Sequence, residues 1–482
     1  MTTETERVLT LFEELDAIPR KSKEEARVRE WLAAWAAGKG FEHRTDKAGN
    51  LVVRVPGSSG LESAPVIVLQ QHMDMVCEKT PDKEHDFAKD PITVIRDGEW
   101  LRADRTTLGA DNGIAVALAM AIAESEGFPH PPLELLFTVD EETGLTGASE
   151  LDPAMLSGRI LLNLDSEDEG ILTVGCAGGR HLIIDLPISH DPMPAGHGVY
   201  RLTVSGLAGG HSGVDIHLNR ANANSILGRA LRTVAQQTPV RLAAVQGGSA
   251  HNAIPRDAEA TVALPAGQET PAGDLLVSLQ KELRQELKTR DPKVTLDWQA
   301  AREVPKHVMS FETSQRVWQL LLALPHGVWS HSDEIEGFVE TSCNLATVTE
   351  KDGAIQILVS QRSSVPSRLE AQHARIDAVA ALAGAGRRRD SEYPSWQPDM
   401  DSPLLARSVR VYEETFGEKP RVEAVHAGLE AGVIGAKFDA MDMISLGPTI
   451  KNPHSPDERL YIPSLERVLE FLKSLFASYG DK

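Results

Sequence analysis

Apolar side chains recur at helical spacing near the start of the chain. Val8, Leu9, Phe12 and Leu15 predict a helix over residues 4–17, and Ala26, Val28, Trp31, Leu32 and Trp35 predict a second over 23–38. The pattern then changes to short unbroken apolar runs at 50–55, 65–70, 133–139 and 160–164, which read as strands. Between the second and third of these lies a stretch rich in Ala, Val and Met at 113–123, an apolar helix. Near-continuous apolar strands separated by helices predict an α/β fold whose sheet is covered on both faces.

Pro187, Pro192, Pro194, Gly196 and Gly198 then cluster and interrupt the pattern, marking a linker. Beyond them come a strand at 200–204 and an Ala-rich helix at 221–235. A second group of breakers spans 387–398, after which the α/β texture returns: helix 403–416, strands 421–425 and 443–446, helix 464–478. The simplest organisation is one domain, residues 1–188 plus 396–482, split by an insert at 189–395. The insert has the marks of an internal duplication. In each half, 222–289 and 311–384, two helices flank paired strands.

Composition narrows the function classes. The chain has 482 residues, 41% hydrophobic and 25% charged, more than one ordinary core. No apolar run reaches the ~18 residues that span a bilayer, and the polar N-terminus has no signal-like apolar segment. The net charge of −21 and the absence of a Lys/Arg stripe disfavour nucleic acid. Three scattered cysteines, Cys77, Cys176 and Cys343, make no disulfide framework and fit a reducing cytoplasm as small buried apolar side chains.

Five segments concentrate metal-ligand side chains, and each sits where an element begins or ends. His72 and Asp74 follow the strand 65–70; two apart, they share a face of an extended chain, and a carboxylate there can fix the imidazole tautomer. Asp111, between Gly109 and Gly113, opens the helix at 113, where an N-cap role is the alternative. Asp140, Glu141 and Glu142 crowd the end of strand 133–139; their repulsion calls for a cation or for solvent, and aiming both glutamates inward needs a turn that Gly144 suits. Asp165 is the first carboxylate after strand 160–164, the acids that follow facing solvent. His454 stands between Pro453 and Pro456 in the loop after strand 443–446. Each segment alone is also readable as ordinary loop or cap. Their common position after strands of one sheet, where α/β folds collect ligands, points to a catalytic site of imidazole and carboxylate ligands without thiolate.

The same segments, with others along the chain, resemble the co-catalytic zinc peptidases of aminoacylase, carboxypeptidase and carnosinase type, and among them the bacterial Xaa-His dipeptidase family. The resemblance rests on Gln-Gln-His-Met-Asp-Met-Val at 70–76, His-Asp-Phe-Ala-Lys-Asp-Pro at 85–91, Thr-Thr-Leu-Gly-Ala-Asp-Asn-Gly at 106–113 and Leu-Asp-Ser-Glu-Asp-Glu-Gly at 164–170. It continues with Gly-Gly-His-Ser-Gly at 209–213, His-Asn-Ala-Ile-Pro-Arg at 251–256, His-Ala-Gly-Leu-Glu at 426–430 and Pro-His-Ser-Pro-Asp-Glu at 453–458. It implies a catalytic α/β domain with a central mixed sheet flanked by helices, interrupted by an inserted α+β lid or dimerisation domain. It implies two divalent cations per subunit, zinc first and manganese or cobalt as alternatives, bridged by Asp111, with His72 and Asp165 on one and Glu142 and His454 on the other.

By the same resemblance Asp74 would orient His72, Glu141 would be the general base, His211 would stabilise the oxyanion, and Asn252 and Arg362 would bind the substrate's backbone or carboxylate. Glu141-Glu142-Thr143-Gly144 departs from the commoner Glu-Glu-Ala-Gly only at a non-ligand place. The expected activity is hydrolysis of unblocked dipeptides, Xaa-His or broader, in the cytoplasm, with a homodimer through the insert as one option and neither nucleic acid nor membrane as partner. A tripeptidase or a deacylase of N-acyl amino acids is the alternative within the superfamily. A paralogue without catalysis is the alternative outside enzymes, and the intact Glu141 argues against it.

Overall fold

The computed structural model describes residues 2–480, in two compact units. The first contains the residues up to Cys176, Trp396–Ala424 and those from Leu429 onward; the second contains Ala177–Ser395 and Val425–Gly428.

The first unit is built on an eight-stranded mixed sheet in the order Glu42–Thr45, Leu51–Val55, Leu133–Thr138, Ile67–His72, Ile160–Asn163, Asp442–Ser445, Ile171–Cys176, Arg421–Val425. The four strands from Leu133–Thr138 to Asp442–Ser445 run parallel, and the paired strands outside them that flank this group run antiparallel to it. His72 pairs in register with Thr138, Gln70 with Asn163 and Asn163 with Ser445, so the four parallel strands stop within two residues of one level. Every loop leaving them starts from the same edge.

Helix Thr3–Asp16 is capped by Thr2, whose hydroxyl accepts the Thr5 N–H, and it buries Val8, Leu9, Leu11, Phe12 and Leu15. It packs on helix Ala110–Glu124, which is buried on all sides from Ala110 to Ala123, as its unbroken apolar sequence requires. A small antiparallel sheet, Ile450–Lys451, Arg459–Tyr461, Trp100–Ala103 and Val94–Asp97, anchors the chain on either side of His454.

The second unit carries a nine-stranded antiparallel sheet. Its main path runs Thr295–Ala300, His197–Ser205, Ala258–Pro265, Arg241–Gly247, Val339–Lys351, Ala354–Ser363, Gly178–Pro187, Gly386–Tyr393, with Gly327–His331 beside Val339–Lys351. Each half is a β-α-β-β-α-β unit. In one, helices Ala223–Ala235 and Glu269–Glu286 connect strands 197–205 to 241–247 and 258–265 to 295–300. In the other, helix Phe311–Ala323 lies between strands 178–187 and 339–351 in the sequence, and helix Pro366–Leu382 between 354–363 and 386–393. The first half lies wholly within the first crossover of the second, and the halves join edge to edge where Gly247 faces Val348. Helices Ala223–Ala235 and Phe311–Ala323 pack together across this join, closely enough that a Cβ on Gly228 would stand 2.8 Å from Leu321 Cβ.

The expected boundary at residue 188 falls inside this unit. Strand Gly178–Pro187 is hydrogen-bonded along its whole length to Ala354–Ser363, so the chain joins the second sheet before it reaches the Pro/Gly cluster. The cysteines are free, Cys176 and Cys343 buried and Cys77 partly so. Among the described residues no helix is long and apolar enough to cross a membrane.

Candidate metal centre

Asp111 sits at the centre of the carboxylates and imidazoles gathered at the strand ends. Its Oδ1 lies 3.2 Å from His72 Nε2 and its Oδ2 3.0 Å from His454 Nε2. Each imidazole faces a second carboxylate: His72 Nε2 is 3.3 Å from Asp165 Oδ1, and His454 Nε2 is 3.1 Å from Glu142 Oε2. Ligand atoms of His72, Asp111 and Glu142 all fall within 4.8 Å of one another. The five residues expected from the sequence are therefore brought together in the first unit.

Local structure aims each side chain. His72 is the last residue of its strand; its Nδ1 is 3.1 Å from the Asp74 carbonyl oxygen and 3.4 Å from Asp74 Oδ1, which leaves Nε2 toward Asp111. Asp111 is no N-cap. The capping position is Gly109, in the left-handed region at φ 73°, and Asp111 keeps non-helical dihedrals with its carboxylate turned to the imidazoles. After strand 133–138 the turn is made by Asp140 and Leu145, both left-handed at φ 51° and 53°, rather than by Gly144. The hydroxyls of Thr143 and Thr146 donate to Asp140 and hold that turn. The backbone N–H groups of Glu141 and Glu142 both donate to the Asp74 carboxylate, at 3.1 and 3.3 Å, which ties the start of this turn to the segment after His72. The Ser22 hydroxyl donates to Asp74 at 2.7 Å.

The electrostatics are those of a cation site. Burial opposes the charge on Asp74, but hydrogen bonds from His72 and Ser22 outweigh it and hold the carboxyl down at about 2. Hydrogen bonds to Asp111 and Glu142 lift His454 to about 11. Burial lowers His72, yet Asp165 and Asp111 raise it well above the usual imidazole value. Burial first, then Asp165, Glu430 and Glu142, push the Glu141 carboxyl well above the usual range.

Whether two divalent cations suit these residues can be tested on the donor atoms. Among the described residues no hydrogen-bond donor reaches the buried Glu142 Oε1, an arrangement that is costly unless a cation satisfies it. Oxygen and imidazole donors with no thiolate suit zinc, manganese or cobalt. Three carboxylates, Asp111, Glu142 and Asp165, face the two imidazoles, a donor set of the kind that holds divalent cations. The residues fit the group.

The acids after Asp165 do not all face water, as the sequence suggested. Glu167 is partly buried, and burial with the nearby Asp111 and Asp165 raises it to about 8; Asp168 pairs with Lys451, and Glu169 with Arg467 at 2.9 Å.

His211, Asn252 and Arg362 belong to the second unit. His211 Nδ1 accepts the backbone N–H groups of Gly213 and Val214 at 3.2 and 3.1 Å, so the neutral ring carries its proton on Nε2, free to donate. Burial, then the charge of Arg362, lowers its pKa and keeps it neutral. Asn252 accepts the Ser212 N–H through its backbone oxygen at 2.7 Å. Arg362 is buried, donates to Tyr393 Oη at 2.6 Å and leaves Nε without a partner; among the described residues no carboxylate pairs with it. Burial first, and with it the charge of Arg362, lowers the pKa of four imidazoles: His181, His211, His251 and His426.

The family model for Peptidase family M20/M25/M40 matches residues 68–478, a span that takes in all five clustered residues. The chain belongs to this peptidase family. It is 39% identical over 472 residues to the cytosol non-specific dipeptidase of Escherichia coli (strain K12), covering 98% of this chain and 97% of that protein. It superimposes on the crystal structure of aminoacylhistidine dipeptidase from Vibrio alginolyticus with a TM-score of 0.91 and 40% identity, over 98% of this chain and 96% of the other. A tripeptidase from Staphylococcus aureus shares the fold at a TM-score of 0.57 and 16% identity over 99% of each chain.

In this peptidase the site rests on buried residues that sequence reasoning passed over. Gln70 and Thr138 each donate to Glu430 Oε2 at 2.6 Å, Asn163 donates to Gln70 Oε1 at 2.6 Å, and Ser445 donates to Asn163 Oδ1. These side chains tie the ends of all four parallel strands to one buried carboxylate, which burial raises to about 7. Glu430 and Glu458 both lie in segments that carried the family resemblance, yet only their partners reveal a task.

Proposed function

We propose that this chain is a dinuclear metal-dependent dipeptidase that hydrolyses the peptide bond of unblocked dipeptides. The observation that carries this reading is the division of Asp111: one oxygen toward His72 and Asp165, the other toward His454 and Glu142. Membership in a peptidase family and near full-length similarity to two dipeptidases support it. His72 and Asp165 would hold one cation and His454 and Glu142 the other, with Asp111 as the ligand common to both; zinc is the first candidate. When bound, the cations supply Lewis acidity, acidifying a water and polarising the scissile carbonyl.

Glu141 takes the proton of the attacking water and returns it to the leaving amine. Asp74 orients His72 and the Glu141 turn. The second unit is the lid or dimerisation unit and supplies substrate-binding groups. His211 Nε2–H donates to the oxyanion, and Arg362, a buried cation that no carboxylate among the described residues pairs with, receives the C-terminal carboxylate, with Asn252 on the substrate backbone. Tripeptides and acetylated amino acids are poor substrates on this reading. By its similarity to a cytosol dipeptidase the protein works in the cytoplasm, with homodimerisation through the second unit to be read by light scattering.

The test is a turnover panel with metal present: unblocked dipeptides including β-alanyl-histidine, matched tripeptides and acetyl-amino acids. Dipeptide hydrolysis well above the other two classes is expected. Preference for tripeptides or acetyl-amino acids, or no hydrolysis at all, overturns the proposal.

A further inference from the structure

Asp111 is held from two directions by one loop. The loop that presents His454 to Asp111 Oδ2 at 3.0 Å also carries, four residues on, a carboxylate turned back onto the Asp111 backbone. Glu458 is 1% exposed. Its Oε2 accepts the N–H groups of Leu108 and Gly109, at 2.8 and 2.9 Å, and its Oε1 accepts the N–H of Asp111 itself at 3.2 Å. The side chain thus does for helix Ala110–Glu124 what the capping residue cannot, since Gly109 has no side chain to offer the free N–H groups of the first turn. Glu458 in turn is anchored by strand Arg459–Tyr461, whose Leu460 pairs with Leu101 and is fully buried.

The same loop is gripped from elsewhere by Arg20. This guanidinium, 1% exposed, donates through Nη2 to the Gly109 carbonyl at 2.8 Å and to Asp16 at 2.7 Å. A Cβ on Gly109 would stand 2.4 Å from Arg20 Nη2, and one on Gly113 2.7 Å from it. The two glycines flanking Asp111 are therefore small because a buried arginine occupies the space beside them. The backbone of Arg20 accepts the Met75 N–H at 3.1 Å, which ties it to the segment after His72 as well. The Gly109 residue is fixed at both ends: its N–H by Glu458 and its C=O by Arg20.

Glu458 is a buried acidic side chain whose carboxylate reaches the backbone of Asp111 directly. A fold that needed only a helix cap could use a neutral serine or asparagine. Three N–H groups spread over two carboxylate oxygens, beside a site that binds dications, favour a residue that serves that site.

We infer that Glu458 is a positioning residue for the metal centre: with Arg20 it sets the backbone of residues 108–111 so that the Asp111 carboxylate faces both imidazoles before either cation arrives. This rests on the proposed reading of Asp111 as the bridging ligand. A carboxylate displaced by a fraction of an ångström cannot serve two cations at once, so loss of Glu458 weakens binding of the pair and the chemical step while leaving substrate recognition to the second unit.

The experiment compares wild type, Glu458→Gln, Glu458→Asp and a control, Glu134→Gln. Glu134 is another buried carboxylate of the first unit, 2% exposed, which accepts the Ser157 and Gly158 N–H groups at 2.9 and 3.0 Å. It stands near the opposite end of its strand from Thr138, so its loss reports the general cost of removing such a group. Zinc and cobalt stoichiometry and affinity are measured by competition with a chromophoric chelator, kcat and KM at saturating metal, and the unfolding midpoint in excess chelator. For Glu458→Gln the expectation is metal affinity weakened by about 10- to 100-fold, a fall in kcat of at least ~10-fold and KM within ~3-fold of wild type. Glu134→Gln is expected to lower the unfolding midpoint with metal affinity and kcat unchanged.

If Glu458→Gln does not fold, Glu458→Asp, which keeps the charge on a shorter arm, is read by the same criteria. A Glu458 variant that loses stability alone, with metal affinity and kcat of wild type, overturns the positioning role. A wild-type protein that binds fewer than two cations instead overturns the dinuclear reading beneath it, so the two failures are told apart by wild-type stoichiometry.

Discussion

The Asp74 carboxylate accepts the backbone N–H of Glu141 at 3.1 Å. One side chain thus links the residue proposed as base to the imidazole of His72, whose Nδ1 is 3.4 Å from the same Asp74 oxygen. Asn at position 74 keeps an acceptor but loses the charge and one of the two oxygens. Asp74→Asn is expected to lower metal affinity or kcat by about 10- to 100-fold, with the secondary structure seen by circular dichroism unchanged. Wild-type kinetics in this variant count against Asp74 as the orienting group.

Base and ligand are adjacent in sequence but separable by metal analysis. Glu141→Gln is expected to retain two cations and to lose roughly 10²- to 10⁴-fold in kcat. Asp111→Ala is expected to lose stoichiometric metal, and added zinc, manganese or cobalt does not restore its activity. Inductively coupled plasma mass spectrometry on both variants reads the difference. Full metal in Asp111→Ala removes it from the bridging position.

Arg362 is a buried guanidinium held by Tyr393, and among the described residues no carboxylate pairs with it. Lysine keeps the charge there but not the planar fork that grips a carboxylate with two parallel bonds. Arg362→Lys is expected to raise KM for dipeptides by at least ~10-fold with a smaller change in kcat. Dipeptide amides, which lack the carboxylate, should lose the distinction between wild type and variant. An unchanged KM rules out this carboxylate seat.

His426 couples the second unit to pH. Its Nε2 is 2.7 Å from Ser342 Oγ, and burial together with the charge of Arg362 holds its pKa down at about 3. The folded protein therefore refuses a proton that the unfolded chain takes up at an ordinary imidazole pKa, ~6.5. The contribution of the neutral ring is complete above ~6.5 and is lost as pH falls from there toward 3, at a slope of up to about 1.4 kcal/mol per pH unit. Chemical denaturation from pH 7 to 4.5 is expected to show a shallower acid slope for His426→Gln than for wild type. Parallel slopes rule out His426 as a source of the pH dependence.

Much of the first unit was legible from one dimension. Unbroken apolar runs mark buried parallel strands because such strands meet no water on either face, and Leu133–Thr138, Ile67–His72 and Ile160–Asn163 lie where those runs do. His72, Glu142, Asp165 and His454 stood out because ligand-type side chains followed strands, a place where an α/β sheet leaves room, and Asp111 because it opens a helix between two glycines. The turn at Asp140 was legible in part: crowded carboxylates after a strand required one, but its left-handed residues are Asp140 and Leu145, whose angles depend on hydroxyls at Thr143 and Thr146.

Hydrogen bonds between residues hundreds of positions apart decided the rest. Glu458 reaching Leu108, and Gln70 reaching Glu430, join segments whose local patterns say nothing of each other. The start of the second unit at Ala177 was hidden for the same reason: Gly178–Pro187 is a strand like any other until its partner Ala354–Ser363 is known. Local propensity and periodicity record what each segment buries, and these determined the elements and the candidate ligands. Which oxygen faces which nitrogen, and which buried acid holds the backbone of Asp111, follows from the pairing of distant segments and belongs to the tertiary structure alone.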